Sequence, residues 1–292
     1  MPKPTAFQSN NSDIIFSLIM ATYNRKDDVE QFILSLINQK FDASKFELII
    51  IDQNSENFLL EIIEKYKKSL TIRHFRSNIL GSSINRNIGL KMAKGKIIAF
   101  PDDDCTFYRD TMSEVYNIFS EQDNIASVLG QIYDQESGQK IIRKWPDKIK
   151  KITKINYFYL YSCITVFTKN KKVLFDTRLG PNTGFGAYED ADYILALTKQ
   201  NKGEFYYFPS IKVNHPQLNM STMDFKKISN YGLGFGAFCK KNLSWNIFIL
   251  YCGAISYHAV MLLVAIMKFD SLEVKKRYFS ISSRLKGFLC FS

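Results

Sequence analysis

The stretch Lys96-Ile97-Ile98-Ala99-Phe100-Pro101-Asp102-Asp103-Asp104 decides the fold. Ile97 to Phe100 are apolar, partly β-branched and without helical spacing, so they predict a short buried strand. Pro101 has no amide hydrogen and ends the ladder. Three carboxylates then follow in a row at the strand's C-terminal end. Like charges placed there need compensation, and a hard divalent cation such as Mg²⁺ or Mn²⁺ supplies it through carboxylate oxygen. In an extended segment Asp102 and Asp104 point the same way and Asp103 the other, so Asp102 and Asp104 form the natural pair for one ion. A solvated acidic turn is the plainer account of the triplet taken alone.

Upstream, Ile14 to Met20 is a near-continuous apolar run, as expected of a strand buried on both faces of a parallel sheet. It runs into Ala21-Thr22-Tyr23-Asn24-Arg25. Asp27 or Asp28 can cap a helix carrying Val29, Phe32, Ile33, Leu36 and Ile37. Phe46 to Ile51 predicts a second strand ending at Asp52-Gln53-Asn54-Ser55, with a helix over 56–69 and a third strand over 71–75. Gly81-Ser82-Ser83 opens a helix bearing Arg86 and Asn87, which Gly95 is expected to end. The alternation β-α-β-α-β-α-β suits right-handed crossovers in a doubly wound α/β sheet. Ligands bind beyond the carboxyl ends of such strands. Thr22 to Asn24, Asp52 and the aspartate triplet all gather at that edge. Neither G-x-G-x-x-G after the first strand nor a Walker A sequence occurs, so dehydrogenase and P-loop readings are unsupported.

Beyond Cys105 a helix over 110–121 and a strand over 125–129 are expected. Residues 133–154 are polar and basic and read as a mobile or acceptor-facing loop region. Trp145 within it is either a sugar-stacking platform or a partly buried anchor. Tyr157 to Thr168 is strand-like, and short strands over 205–208 and 211–214 flank Pro209. Gly180-Pro181-Asn182-Thr183-Gly184-Phe185-Gly186 feeds a helix whose first turn holds Glu189, Asp190 and Asp192. Acidic residues there complement the helix dipole. Alternatively one is a general base, since glycines let substrate approach closely. Asp192 reads as a helix-surface or substrate-positioning residue. His215 ends the following strand.

Four segments together resemble the nucleotide-binding half of family 2 glycosyltransferases: Ala21-Thr22-Tyr23-Asn24-Arg25, Ile51-Asp52-Gln53-Asn54-Ser55, Arg86-Asn87-Ile88-Gly89 with Ala93-Lys94-Gly95, and Phe100 to Asp104. Their order and spacing match as well, and the likeness runs over about residues 14 to 220. Gln53 departs from the pattern, where the family often has a second acidic residue. The resemblance implies the GT-A fold, a doubly wound mixed sheet with helices on both faces. It places Thr22, Tyr23, Arg25, Asp52, Arg86, Asp102 and Asp103 on the nucleotide. It places Asp102, Asp104 and, as a third ligand, His215 on Mn²⁺ or Mg²⁺. Asp190 falls on the base position of inverting members, with Glu189 beside it. The implied reaction moves a sugar from a nucleotide-diphosphate donor, a UDP-sugar above all, to a hydroxyl of a growing glycan. The processive-synthase pattern Gln-x-x-Arg-Trp is absent, which favours one or a few additions per encounter. A nucleotidyltransferase on a related sheet, or a glycan-binding scaffold without catalysis, are the alternatives.

Composition sets the surroundings. The chain has 292 residues, 46% hydrophobic and 14% aromatic, long enough for one or two domains. Its 39 basic and 28 acidic residues leave a net charge of +11, which suits phosphate, a nucleotide or an anionic membrane surface. No helix-turn-helix, zinc-finger or RRM pattern points to nucleic acid. Five scattered cysteines without a C-x-x-C pair predict a reducing compartment and no structural disulfide. The expected layout is a flexible N-terminus over 1–12, a catalytic domain over 13–220 divided near 104, and a helical C-terminal region over 221–292. Within the last, 247–267 carries no formal charge and is about long enough to span a bilayer. Lys240, Lys241 and Lys268 flank it, and Lys275, Lys276, Arg277, Arg284 and Lys286 follow. An interfacial helix pair, a true span and a hairpin packed on the catalytic domain are the three readings. The basic residues favour the anionic cytoplasmic leaflet, where a lipid-linked acceptor of the O-antigen or capsule type would lie.

Overall fold

The computed structural model describes residues 14–55, 57–217 and 224–292. The expected flexible segment over 1–12 and the boundary near 220 lie outside those residues. One nine-stranded mixed sheet carries the fold. Strand β1 (Phe16–Thr22) pairs in parallel with β2 (Phe46–Asp52) on one side and β4 (Ile97–Ala99) on the other, and β3 (Thr71–Arg76) lies outside β2. The continuous apolar runs are buried throughout β2 and β4, as strands covered on both faces require. The chain steps outward from β1 to β2 to β3 and then returns across them to β4. Right-handed crossovers therefore place α1 (Lys26–Ile37) and α2 (Leu60–Tyr66) on one face and α3 (Ser82–Met92) on the other. The reversal lies between β1 and β4, and it opens a crevice at their carboxyl ends.

The second half extends the sheet. β4 pairs antiparallel with β8 (Val166–Thr168), which pairs antiparallel with β6 (Ile125–Asp134). β6 runs parallel to β9 (Glu204–His215), which also pairs with β5 (Thr106–Phe107) and β7 (Lys150–Lys151). Helices α4 (Thr111–Glu121) and α5 (Glu189–Gln200) follow β5 and β8 in the chain. The tail is α6 (Phe225–Lys241), α7 (Trp245–Met267) and α8 (Ser271–Cys290).

Several local expectations are corrected. Asp27 and Asp28 are not caps: α1 begins at Lys26, and both lie in its first turn, where their charge favours the helix N-terminus. The helix expected from 56 begins only at Leu60, because Asn57 takes a left-handed conformation. Gly95 does not end α3, which stops at Met92. Its place is against β1, where its amide donates to Ser17 Oγ at 2.8 Å and a Cβ would meet the Ser17 nitrogen at 2.4 Å. Most of 157–168 is not strand. The Asn156 side chain accepts from the Thr153 amide at 2.8 Å, and the chain turns through two 3-10 segments before β8 begins. The two strands expected around Pro209 are one, since the β6–β9 register shifts between Leu129 and Gln131 and Gln131 Nε2 donates to the Pro209 carbonyl at 2.5 Å. Trp145 is an anchor. It is 5% exposed, stacks on Tyr207 at 6.1 Å, and donates Nε1–H to the Ile141 carbonyl at 2.8 Å. Its loop is tied to the sheet through β7 rather than left free.

Candidate active site

The sheet's carboxyl edge gathers the acidic residues that the sequence singled out. Asp102 Oδ1 accepts from Arg86 Nη2 at 2.5 Å, and Arg86 Nη1 donates to Asp190 Oδ1 at 3.1 Å. One guanidinium on α3 therefore joins the aspartate triplet to the first turn of α5. Glu189 Oε1 stands 4.0 Å from the same Nη1, and the Cys163 amide donates to Asp190 Oδ2 at 3.3 Å. Arg86 reaches this point because α3 lies close against β1: a Cβ on Gly89 would meet Ile19 Cγ2 at 2.4 Å. Tyr188, just before the acidic pair, adopts a left-handed conformation at φ 71° and turns the chain into α5.

The triplet divides in the expected way, although not by strand alternation: β4 ends at Ala99, and Asp103 and Asp104 lie in a turn. Asp103 turns away and accepts from Thr22 Oγ1 at 2.8 Å. Asp102, Asp104 and His215 converge, each offering a ligand atom within 4.8 Å of the others. His215 Nδ1 lies 2.7 Å from the Pro216 carbonyl, and His215 Nε2 lies 3.4 Å from Asp104 Oδ1. That pairing puts a proton on Nδ1 and turns Nε2 into the cluster, where it donates to Asp104 while the ring is protonated and offers its lone pair once the ring is neutral. Two carboxylates and a neutral imidazole make a donor set that fits Mn²⁺ or Mg²⁺. Arg25 Nη2, 3.5 Å from Asp104, stands at the rim.

The electrostatics are those of a site short of positive charge. Burial pushes the Asp103 carboxyl up to about 7 against the Thr22 hydrogen bond, and the charges of Asp102 and Asp104 add to the rise. Burial also raises Asp102, and the Asp190 and Asp104 charges offset part of what Arg86 contributes. Glu189 is pushed up to about 8 by burial and by Asp190. Burial acts in the same sense on Asp104, but the His215 hydrogen bond and the His215 and Arg25 charges outweigh it and hold Asp104 low.

Around the nucleotide positions, Asp52 is 2% exposed. Its Oδ1 accepts from the Asn54 backbone and side-chain amides at 2.9 and 2.6 Å, and its Oδ2 lies 2.9 Å from His74 Nε2. Gln53 ties the loops together, donating to the Thr22 carbonyl at 3.2 Å and accepting from the Gly81 amide at 2.8 Å. Tyr23 is 44% exposed at the rim. His74 was missed by the sequence reading, although its place in β3 opposite Ile50, two residues before Asp52 on β2, put it within reach of Asp52. Asp192 is corrected: it is not on the surface but 3% exposed, and it accepts from Lys241 Nζ at 2.7 Å and Asn242 Nδ2 at 2.8 Å. It ties α5 to the end of α6.

A crevice at the switch point of a mixed α/β sheet, with an Asp-Asp-His cluster and a carboxylate pair across from it, defines a GT-A type of nucleotide-sugar transferase. The chain belongs to glycosyl transferase family 2, whose model matches residues 17–177. Among curated proteins it is similar to the poly(ribitol-phosphate) beta-N-acetylglucosaminyltransferase TarP of Staphylococcus aureus, 29% identical over 182 residues. That match covers 58% of this chain and 55% of TarP, so the chain spans about half the length of this curated relative. Two solved structures share the fold. S. aureus TarS 1–349 in complex with UDP-GlcNAc superposes with a TM-score of 0.61 at 15% identity, covering 94% of this chain and 90% of that one. The mannosyltransferase PcManGT from Pyrobaculum calidifontis, in complex with GDP-Man and Mn²⁺, superposes with a TM-score of 0.61 at 13% identity, covering 93% and 86%.

Proposed function

We propose that this glycosyltransferase moves one sugar from a UDP-sugar, with inversion at the anomeric carbon, to a hydroxyl of a growing, lipid-linked surface glycan. The observation that carries this reading is the Arg86 bridge, which holds Asp190 one guanidinium away from the Asp102–Asp104–His215 cluster. In this reading Thr22, Tyr23, Arg25, Asp52 and Asp103 line the nucleotide side. Asp190 takes the proton from the acceptor hydroxyl as that oxygen attacks the face opposite the leaving group. Single displacement of this kind inverts the configuration. Arg86 and the Cys163 amide hold both Asp190 oxygens in place for that proton. Glu189, part-buried beside Asp190, shares the same guanidinium, with Oε1 4.0 Å from Arg86 Nη1. A bound Mn²⁺ or Mg²⁺ supplies Lewis-acid neutralisation of the departing diphosphate. The activity that TarP's name describes and the UDP-GlcNAc bound in TarS support a UDP-linked donor.

The test is calorimetric titration of UDP with and without Mn²⁺, beside Asp104→Ala. Metal-dependent binding that the substitution removes is the expected result. Binding indifferent to metal would sink the donor site as described.

The tail supports a membrane-surface position. α7 is long and apolar enough to cross a membrane, yet about a tenth of its apolar window is buried. Trp245, Ile249, Val260, Leu263 and Met267 are all more than half exposed and recur along one stripe. Its other side stacks on the tail, Tyr251 lying 4.7 Å from Phe288 of α8. A one-sided stripe flanked by lysines suits a helix lying in the interface of an anionic leaflet. Co-sedimentation with phosphatidylglycerol vesicles is expected for the wild type and largely lost in Val260→Glu/Leu263→Glu. Equal sedimentation of the two would remove the membrane from this reading.

A further inference from the structure

A cavity of about 400 Å³ lies outside the acidic site, between the β3–α3 loop and the loop over 177–185. Ile79, Leu80 and Ile84 form one wall and Phe185 the other, with Asn182 and Thr183 at the rim. Ile79 and Leu80 are about half exposed among the described residues. At 3.6 residues per turn, Gly81 and Ile84 lie on the side of α3 opposite Arg86. The cavity is therefore separate from the aspartate triplet. It nevertheless adjoins the acidic pair through Gly180, where a Cβ would stand 3.1 Å from Glu189 Cδ and 3.0 Å from Ser83 Oγ.

Charge decides what the cavity can hold. Its one cationic lining residue, Arg178, is taken up on both sides of the guanidinium. Nε and Nη2 donate to Asp176 at 2.9 and 2.7 Å, and Nη1 donates to the Ser292 carbonyl at 2.6 Å. No positive charge is left for a phosphate or a carboxylate. What remains is an aliphatic wall facing an aromatic one, with the Asn182 amide beside them. That combination suits the C–H face of a sugar ring and its equatorial hydroxyls. The volume lies within the range of ligand pockets, about 300–1,000 Å³. The Phe185 wall is rigid, because its ring packs against Phe291 at 5.0 Å, and Phe291 is held by Leu179, Ala237 and the Arg178 guanidinium at 4.2 Å.

We propose that this cavity is a subsite for an uncharged sugar ring of the acceptor glycan, one that lies behind the unit receiving the new sugar. The proposal rests on the glycosyl-transfer reading given above. It names the acceptor as a glycan with neutral rings, in contrast to a polyol-phosphate chain.

The experiment is saturation-transfer NMR on the full chain with UDP and Mn²⁺ present. The probes are the methyl glycosides of glucose, galactose and N-acetylglucosamine, with ribitol 5-phosphate as the anionic counterpart. Leu80→Trp fills the cavity and Phe185→Ala removes one wall, and thermal unfolding checks that each variant is folded. At least one neutral glycoside is expected to bind the wild type and to weaken about tenfold in both variants, as loss of a single apolar wall contact implies. UDP affinity is expected to stay unchanged. Three outcomes overturn the proposal: neutral binding indifferent to Leu80→Trp, no neutral binding at all, or binding of ribitol 5-phosphate in preference to the glycosides. A fourth is loss of UDP-GlcNAc affinity relative to UDP in Leu80→Trp, which would give the cavity to the donor. Failure of UDP to bind the wild type strikes the glycosyl-transfer reading instead, and the glycoside comparison, run without UDP, still decides the cavity.

Discussion

The parallel sheet has carboxylates at both of its ends, and the two ends are built differently. At the amino end Glu47 is 1% exposed and fully satisfied. Ser17 Oγ donates to it at 2.6 Å, the Lys94 amide at 2.7 Å, and Arg73 at 2.8 Å. Burial acts to raise its carboxyl, but those three donors outweigh it and the net shift is downward. At the carboxyl end burial pushes Asp102, Asp103 and Glu189 upward, neighbouring acids add to the rise, and Arg86 and Arg25 do not cancel it; only Asp104, which has His215 beside it, is held low among the triplet. Burial alone therefore does not mark the site. A buried acid that its own fold compensates holds the sheet together, whereas a cluster left short of positive charge is a candidate site for a cation and a substrate.

The contrast can be broken at its strongest point first. Asp190→Asn is expected to lower turnover by about 10²–10⁴-fold while UDP affinity survives, since a positioned base contributes on that order. Steady-state kinetics beside calorimetry separate the two, and unchanged turnover would remove Asp190 from the chemistry. Next in size is stability. Glu47→Gln is expected to cost about 3 kcal/mol in urea unfolding, because it breaks a buried ion pair. Asp103→Asn keeps the Thr22 hydrogen bond, relieves charge, and is expected to cost nothing measurable in metal-free protein. Equal losses in the two would erase the distinction between the two ends. The smallest effect is in pH. Glu47 lies below its unfolded value in the folded chain, so its stabilisation is complete above about pH 4.3 and fades as pH falls through the lower folded value. The gap in melting temperature between wild type and Glu47→Gln should accordingly narrow between about pH 5 and pH 3. A gap constant over that range would mean that the hydrogen bonds, not the charge, are what Glu47 contributes.

The first half of the molecule was legible because its signals are local. Three apolar runs, each ending in polar residues, and the mixed segment over 71–75 fix four strands and the edge where those polar residues meet, whereas the split of Asp103 from Asp102 and Asp104 comes from a turn beyond β4. The second half depends on distant partners. Asp192 looks like an exposed helix residue until α6 brings Lys241 to it. Arg86 carries no sign in the sequence that it will join two acids 16 and 104 residues away. The aromatic run over 157–168 has strand composition, but the Thr153–Asn156 turn captures the chain first. β5 is two residues long and exists because β9 offers it an edge.

The seam between the tail and the loop of the acidic pair has a consequence in time. A Cβ on Gly234 of α6 would stand 2.4 Å from the Ala187 carbonyl oxygen, and one on Gly186 would stand 2.8 Å from Asn230 Cβ. α6 thus backs this loop directly, and Phe291 beyond α8 closes over Leu179 and Phe185. A ribosome adding about 5–20 residues per second delivers Phe291 roughly 5–20 s after Asp190 has been made. Through that interval the nucleotide half can already fold on the β1–β4 sheet, while the loop that carries Asp190 still lacks its backing. The nascent chain can thus fold its first four strands before the Asp190 loop is ordered, so synthesis of the tail is the event that completes the acidic site.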